Sequence, residues 1–408
     1  MGVDVIGMIE GMAEHGTAPT DGCALFGVGH EEAFERLKKT YLERRFGRGG
    51  SAEKFVVGPY GSGKTHFLRQ LMELSRGMGC ASAEVMLNKD LDFTRSLNVY
   101  REVIREIRAP STDQKGIRAL LVASVEQVRA QAGGNTDIAD RLAATWVEGL
   151  DKGNYELEAY GRVARRALEA HLLGDTATFD AACRWIEGDV GDKVLARELF
   201  VSTVDKSEEN VHGRRALLSL FQLVRRAKFR GTVLTFDEAE QGLAVDRKQM
   251  DRIMSMLQSG INAVSDLREG SALVVYALTP ELFEHVEKFA ALQQRVADPG
   301  KGEGFFDGNT LAPIIDLAPR TDLVVELRTR GRSLVDLAYG APEWDSPVSK
   351  ADAVATVDRL AEEIGLEDVS SGSRREMVKR TCAMLIRTLD GGDLDTSPRP
   401  ERDDEAEV

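Results

Sequence analysis

The stretch of sequence that decides the fold is GPYGSGKT at residues 58–65, which has the spacing G-x-x-x-x-G-K-T. Glycines at these positions let successive backbone N–H groups point inward at the start of a helix, where they surround a β-phosphate. Lys64 then reaches the β- and γ-oxygens, and the Thr65 hydroxyl binds Mg²⁺. We therefore predict a nucleotide site formed by Gly58, Tyr60, Gly61, Ser62, Gly63, Lys64, Thr65 and His66.

The residues on either side of this turn have the pattern that the motif requires. Lys54 to Val57 is a short run of aromatic and β-branched residues, typical of a buried strand. After the turn, apolar residues recur at 67, 68, 71 and 74, which is helical spacing. Two alternatives stay open: a glycine-rich turn that binds nothing, and a His66 that only packs.

An acidic pair completes the expected site. The run VLTF at 233–236 predicts a strand, and Asp237 and Glu238 follow it. Asp237 is then placed to hold Mg²⁺ through water, and Glu238 is placed to orient the water that attacks the γ-phosphate. The alternative is that both acids cap the next helix. No N-K-x-D guanine signature occurs, so ATP with Mg²⁺ is favoured over GTP.

The remaining pattern predicts an α/β protein with a parallel sheet. Further strands are expected at 82–87, 232–236, 272–277 and 314–317, with helices at 247–260 and 281–296 between them. Helical patterns fill the long stretch from strand two to strand three. A parallel crossover needs only a dozen or so residues, so this stretch is interpreted as an inserted helical subdomain. The glycine turn carries Lys-Thr and lacks a well-placed ribose-binding acid, which excludes a dinucleotide-binding oxidoreductase.

Charge limits the classes of partner. The 53 Lys and Arg against 67 Asp and Glu give a net charge of −14, and the last nineteen residues hold eight of these acids and two arginines. This balance argues against broad attachment to nucleic acid or anionic membranes. Basic clusters at 44–48, 162–166 and 225–230 are interpreted as solvated faces, with contacts to phosphate backbones as the alternative.

Targeting signals and cysteine pairs are absent from the pattern. No apolar run approaches the length of a membrane span, and the first sixteen residues lack the basic region of a signal peptide. The four cysteines are far apart in sequence, with no C-x-x-C pair. We expect a cytoplasmic protein without a disulfide framework and without a membrane partner.

Several segments together resemble one protein family. They are PTDGCALFGVGHEEAFERL (19–37), KFVVGPYGSGKTHFLRQL (54–71), LTFDEAEQG (234–242), ALTPELF (277–283), KFAALQQRV (288–296) and, less closely, SRREMVKRTCAMLIRTLD (373–390). They are similar to the P-loop ATP-binding proteins of bacterial phage-defence islands of the BREX type, the BrxD-like proteins. This family belongs to the AAA+ ATPases, near the replication-origin and loader branch.

The resemblance implies an AAA+ fold with a five-stranded parallel sheet in the order 5-1-4-3-2, a large helical insertion and a C-terminal helical lid. The corresponding division places the first part of the ATPase core, with the Walker A turn, at 1–109. The insertion is expected at 110–228, and the second part of the core, with the Walker B acids, at 229–320. The lid is expected at 321–389, followed by a disordered acidic tail at 390–408.

The resemblance also implies roles for residues outside the phosphate motifs. Val28, within Gly-Val-Gly, resembles the wall of the adenine pocket, although an ordinary loop is an equal alternative. Thr279 resembles the polar sensor beside the γ-phosphate, and its alternative is an N-cap. Arg295 resembles an arginine finger at a subunit boundary, unless it is a solvated helix end. Arg375 resembles the sensor of the lid, but the sequence does not separate it from Arg374.

The function implied is that of an ATPase, an ATP-driven motor or loader in phage defence that acts on a DNA-processing partner. Self-association on ATP binding is expected, with a helicase or another defence component as protein partner and DNA as a further candidate. A nucleotide-dependent switch or scaffold with slow hydrolysis shares every site residue. A loader ATPase for replication or transposition differs only in its partner.

Overall fold

The computed structural model describes residues 3–87, 91–237, 247–289, 292–293, 304–318, 322–367 and 372–396. The predicted catalytic residues Glu238 and Arg295 lie outside these ranges. The chain divides into two compact units. The first unit comprises Met1–Glu31, Gly58–Glu73 and Leu317–Val408, and the second comprises Glu32–Val57 and Leu74–Asp316. The five-segment division expected from the sequence stays a prediction.

The second unit contains the sheet. Its five strands are β1 (Ala52–Val57), β2 (Ala81–Met86), β3 (Thr232–Asp237), β4 (Ala272–Leu278) and β5 (Ile314–Asp316). All neighbouring pairs are parallel, and the order is β2-β3-β4-β1-β5, which from the other edge is 5-1-4-3-2. The prediction of five parallel strands is confirmed. Each strand lies within two residues of the predicted bounds.

Burial explains why these segments form strands. Every residue of β3 and β4 is buried, as expected for central strands covered on both faces. Their near-continuous apolar runs TVLTF and ALVVYAL therefore contact helices on each side. Phe236 stacks on Tyr276 across the two strands, with ring centroids 5.0 Å apart. This packing holds the carboxyl ends of the central strands in register.

Helices fill the rest of the second unit, and most of them were predicted. A short helix α2 continues as a π-helix over Lys38–Arg45, a change that the sequence pattern did not predict. A six-residue helix, α9, was also missed. The helices are α2 (Glu31–Leu37), α3 (Lys64–Gly77), α4 (Ser96–Glu106), α5 (Ile117–Arg129), α6 (Thr136–Glu148), α7 (Glu158–Leu173), α8 (Thr176–Ile186), α9 (Lys193–Glu198), α10 (Glu209–Arg226), α11 (Arg247–Asp266) and α12 (Pro280–Lys288).

Two glycines border one apolar cavity of about 70 Å³ between α4, α10, α11 and the strands. At Gly260, in α11, an added Cβ would meet only the Tyr276 hydroxyl, at 3.8 Å. At Gly213, in α10, it would lie 2.4 Å from the backbone nitrogen of Leu97, because α10 approaches α4 closely there. The same substitution should therefore have opposite effects at the two positions.

We expect Gly260→Ala to raise the free energy of unfolding by about 1 kcal/mol, because alanine is the better helix former and the space is open. Gly213→Ala should lower it by about 2 kcal/mol or more, because backbone must move to admit the methyl group. Urea unfolding followed by circular dichroism measures both, and each variant is the control for the other. Equal shifts in the same direction would contradict the packing at both sites.

The first unit has its own core. Helix α1 (Val5–His15) packs with three C-terminal helices, α13 (Leu323–Gly340), α14 (Lys350–Glu367) and α15 (Ser373–Leu389). Asp4 and Asp322 begin α1 and α13, since their side chains accept hydrogen bonds from first-turn N–H groups. The buried faces are lined by apolar residues such as Met12 and Leu334. Among the described residues, no helix combines the length and the apolar character required to cross a bilayer.

Candidate nucleotide-binding site

The turn at residues 58–65 follows the strand β1 and opens the helix α3, as predicted. Gly61 and Gly63 have φ values of 77° and 93°, in the left-handed region where a side chain is strained. Gly58 is required for a different reason. A Cβ at this position would lie 2.4 Å from the Oγ atom of Ser62. Local backbone geometry therefore explains why three glycines occur at this spacing.

The Lys64 side chain folds back over the turn. Its Nζ atom donates hydrogen bonds to the carbonyl oxygens of Gly58, at 3.0 Å, and Pro59, at 3.2 Å, and the residue is only 6% exposed. Ser62 is 2% exposed, and its Oγ atom finds no hydrogen-bond partner within the described part of the chain. A buried ammonium and an unpaired hydroxyl at a helix start suit an anionic ligand. The donors present therefore fit a phosphate group.

Arg374 connects the start of α15 to this turn. Its Nη1 atom donates to the carbonyl oxygen of Ser62 at 3.0 Å, and Nε and Nη2 donate to the two oxygens of Glu326 at 2.7 and 2.8 Å. Arg330, one turn after Glu326 in α13, donates to the same carboxylate at 3.1 Å. Two guanidinium groups thus share one carboxylate, which leaves net positive charge beside the turn.

Arg375 makes different contacts. Its guanidinium lies over the ring of Tyr60, 5.2 Å from the centroid, and Nη1 donates to the Tyr60 hydroxyl at 2.9 Å. Tyr60 is 55% exposed. The two adjacent arginines, which the sequence did not separate, therefore differ in position: Arg374 is half-buried against the turn backbone, and Arg375 is exposed on its aromatic residue.

Charge states around the turn follow from burial. Burial, followed by the charge of Arg330, lowers the pKa of His66 to about 3 and that of His30 to about 4. Both imidazoles are therefore neutral at pH 7. Burial alone would raise the pKa of Glu326, but the hydrogen bonds and charge of Arg374 and Arg330 lower it. The positive charge comes from lysine and arginine, not from histidine.

The segment that contains Val28 packs on α3. The carboxylate of Glu73 accepts hydrogen bonds from the backbone N–H groups of Cys23 and Ala24, at 2.8 and 2.9 Å. The Phe26 ring meets His66 edge-on with centroids 4.8 Å apart, so His66 does pack. Val28 itself is half-buried. The structure thus places Val28 against the helix that begins at the phosphate turn, as an adenine wall requires.

The acidic strand end lies in the second unit and is described there by itself. Asp237 is the last residue of β3 and is 1% exposed. Thr279 follows β4, and its hydroxyl accepts a hydrogen bond from the N–H of Leu282 at 3.4 Å, as an N-cap. β4 lies between β3 and β1, and Leu278 pairs with Val57. Asp237 and Thr279 therefore lie at the carboxyl edge of adjacent strands.

A metal site is not assembled in the part of the chain that the structure describes. Within those residues, no group of three or more His, Cys, Asp or Glu side chains could hold an ion. Thr65, the half-buried second residue of α3, and Asp237 belong to different units. Magnesium at these two residues stays a prediction.

Sequence reasoning missed two members of the charged group, Glu326 and Arg330. Their spacing of four residues on α13 places them on one helix face, which is a signal for mutual pairing. Nothing in the sequence indicates that this pair meets Arg374. The contact arises from the packing of α13 on α15, which is decided by the apolar faces of both helices.

Comparisons with known proteins agree with the geometry of the turn. Neither the curated proteins nor the solved structures contain a significant match to the chain. The family model of the BREX system ATP-binding protein BrxC/D matches residues 7–396. That range includes the glycine turn, β3 with Asp237 and the three C-terminal helices. The chain therefore belongs to the BrxC/D family, the ATP-binding proteins of the BREX phage-defence system.

Proposed function

We propose that the chain hydrolyses ATP with Mg²⁺ and that it is an AAA+ motor or loader acting on a DNA-processing partner of the defence system. The observation that carries the proposal is the buried Lys64 ammonium, held by Gly58 and Pro59 carbonyls inside a glycine turn between strand and helix. The strand order, which from one edge is 5-1-4-3-2, supports the AAA+ assignment. The segments expected as insertion, lid and acidic tail remain part of this proposal.

The turn residues bind the triphosphate. Backbone N–H groups of the turn and of the first residues of α3 have no partner within the helix and are free to donate to phosphate oxygens. Lys64 exchanges its carbonyl partners for β- and γ-oxygens, and the unpaired Ser62 hydroxyl supplies one more donor. Val28 borders the adenine, and Tyr60 and His66 shape the turn on either side.

The acidic strand end carries the reaction. Thr65 and Asp237 would hold Mg²⁺, which neutralises phosphate charge when bound. Glu238, directly after Asp237, orients the attacking water and accepts its proton. Thr279 keeps its hydroxyl near the same edge as a polar sensor, while it also caps α12.

Arginines stabilise the negative charge that grows on the transferred phosphoryl group. Arg295 does so from a neighbouring copy, which explains why ATP binding would drive self-association. Arg374 and Arg375 share the sensor role of the lid in different ways. Arg374 reports through the Ser62 carbonyl, and Arg375 reports through Tyr60.

A slow nucleotide-dependent switch uses the same residues, so turnover must decide. We expect phosphate release from Mg-ATP by the full chain to rise several-fold on addition of duplex DNA or of the partner helicase, as a loader requires. Release should be measured with a coupled phosphate assay, with and without Mg²⁺. A rate that neither addition changes would favour the switch. A stimulated rate leaves open whether defence, replication or transposition is served, and the identity of the stimulating partner decides this. We place the reaction in the cytoplasm.

A further inference from the structure

Three loops lead into neighbouring strands at the amino edge of the sheet. They are residues 46–51 before β1, 227–231 before β3 and 267–271 before β4. The strands that they enter are adjacent, in the order β3-β4-β1. The loops therefore meet at the edge of the sheet opposite to the carboxyl ends of the strands.

Backbone hydrogen bonds join the three loops. The N–H of Ser271 donates to the carbonyl oxygen of Gly49 at 3.4 Å, and its hydroxyl donates to that of Phe46 at 3.0 Å. The N–H of Thr232 donates to the carbonyl oxygen of Ser271 at 2.9 Å. The basic clusters at 44–48 and 225–230, which lie far apart in sequence, are thereby brought onto one face.

This face is strongly positive on an acidic protein. Residues 43–51, 225–231 and 266–271 contain eight Lys or Arg and three Asp or Glu, although the chain carries a net charge of −14. We call this surface the amino-edge face. Its cations are Arg44, Arg45, Arg48, Arg225, Arg226, Lys228, Arg230 and Arg268.

Most of these cations have no acidic partner. Arg226 pairs with Glu269 at 3.3 Å. By contrast, in the described part of the chain no carboxylate lies within salt-bridge distance of five exposed cations, Arg44, Arg45, Arg48, Lys228 and Arg268. Arginines of the other basic cluster behave differently, since Arg165 binds both Asp151 and Glu169. Unpaired cations gathered on one face attract a polyanion.

The backbone of this face is strained. Four non-glycine residues of the described chain have positive φ, and three of them are here: Lys228 at 68°, Glu269 at 60° and Ser271 at 46°. L-residues adopt this region at an energetic cost, and such residues concentrate at functional sites. Glycine would relieve the strain at Lys228, yet the position carries an exposed cation.

The chemistry of the face selects the type of polyanion. None of the three loops carries a large exposed apolar side chain, so the face lacks the stacking residues of single-strand binders and the apolar anchors of protein interfaces. Guanidinium groups match phosphate oxygens in geometry and charge. Adjacent strands are about 4.8 Å apart, so cations on three loops spread over several phosphates of one backbone.

We propose that the amino-edge face binds the phosphate backbone of duplex DNA without reading its sequence. The site goes beyond nucleotide binding, and it does not depend on ATP hydrolysis. DNA would contact the ends of β1, β3 and β4 from which the strands begin.

The test is fluorescence anisotropy of the full chain with a labelled 30-bp duplex of arbitrary sequence, without nucleotide, between 50 and 200 mM NaCl. We expect binding that weakens steeply with salt. In the variant Arg44→Ala/Arg48→Ala/Lys228→Gly, the salt slope should fall by about three and the affinity at least tenfold. The matched control Arg105→Ala/Arg141→Ala/Arg162→Ala removes three exposed arginines from helices of the same unit and should bind like the parent.

Lys228→Gly alone separates binding from folding. It removes one cation and the left-handed strain, so the urea midpoint should rise while affinity for the duplex falls. The proposal is overturned if the parent does not bind the duplex at 50 mM NaCl, or if the two triple variants lose equal affinity. It is also overturned if a labelled peptide of residues 390–408 binds the face more tightly than the duplex, since the face would then belong to an acidic peptide.

Discussion

Lys64→Ala abolishes measurable ATP binding by the full chain. The Lys64 ammonium is buried, and it is held at the turn by two carbonyl oxygens that cannot compete with phosphate for positive charge. Each lost hydrogen bond between ammonium and phosphate removes about 1.5–3 kcal/mol. Loss of two such bonds weakens binding by at least about 100-fold. Isothermal titration with ATP and Mg²⁺ measures the change.

Lys350→Ala is the matched control for this variant. Lys350 belongs to the same unit, but its side chain is half exposed and pairs with Asp336 at 2.9 Å. It should bind ATP like the parent, since exposed ion pairs contribute little. Should Lys64→Ala keep an affinity within threefold of the parent, the turn would not be the nucleotide site.

Glu238→Gln binds ATP with the parental affinity and slows its hydrolysis by about 100-fold to 10,000-fold. Glutamine keeps the size of the side chain but cannot accept a proton from water, and a positioned general base contributes about that factor. Asp237, which precedes it, is almost fully buried at the end of β3, so the strand holds the following residue at the carboxyl edge. Single-turnover hydrolysis and equilibrium binding together distinguish loss of chemistry from loss of affinity.

The control for this pair of measurements is Glu281→Gln. Glu281 is an exposed residue in the first turn of α12, just beyond the end of the adjacent strand β4, and makes the same chemical change near the same edge. Its turnover should be parental. Parental turnover in Glu238→Gln as well would remove the catalytic assignment from that residue while leaving the phosphate turn intact.

The local features were predictable because they depend on neighbouring residues. Glycines at 58, 61 and 63 are required by left-handed backbone and by close approach to Ser62, and both requirements are visible in the spacing. The strands β3 and β4 were predicted because their apolar runs have no polar face. The π-helix over Lys38–Arg45 was not predicted, since its residues keep an ordinary helical pattern.

Long-range contacts were beyond the sequence. Arg374 and Arg375 are adjacent, and only the packing of α15 on α13 sends one to Glu326 and the other to Tyr60. The sequence likewise treated the clusters at 44–48 and 225–230 as separate solvated faces, because they are about 180 residues apart. The strand order β3-β4-β1 brings their loops together.

The sequence by itself determined the phosphate turn, the five parallel strands and the family of this protein. These follow from backbone geometry and apolar periodicity over a few residues, which the chain carries wherever it folds. Only the tertiary structure decided which charged residues are neighbours. Pairing of Arg374 with Glu326 and the gathering of cations at the amino edge result from burial of apolar faces by distant helices and strands, and no local pattern encodes that arrangement.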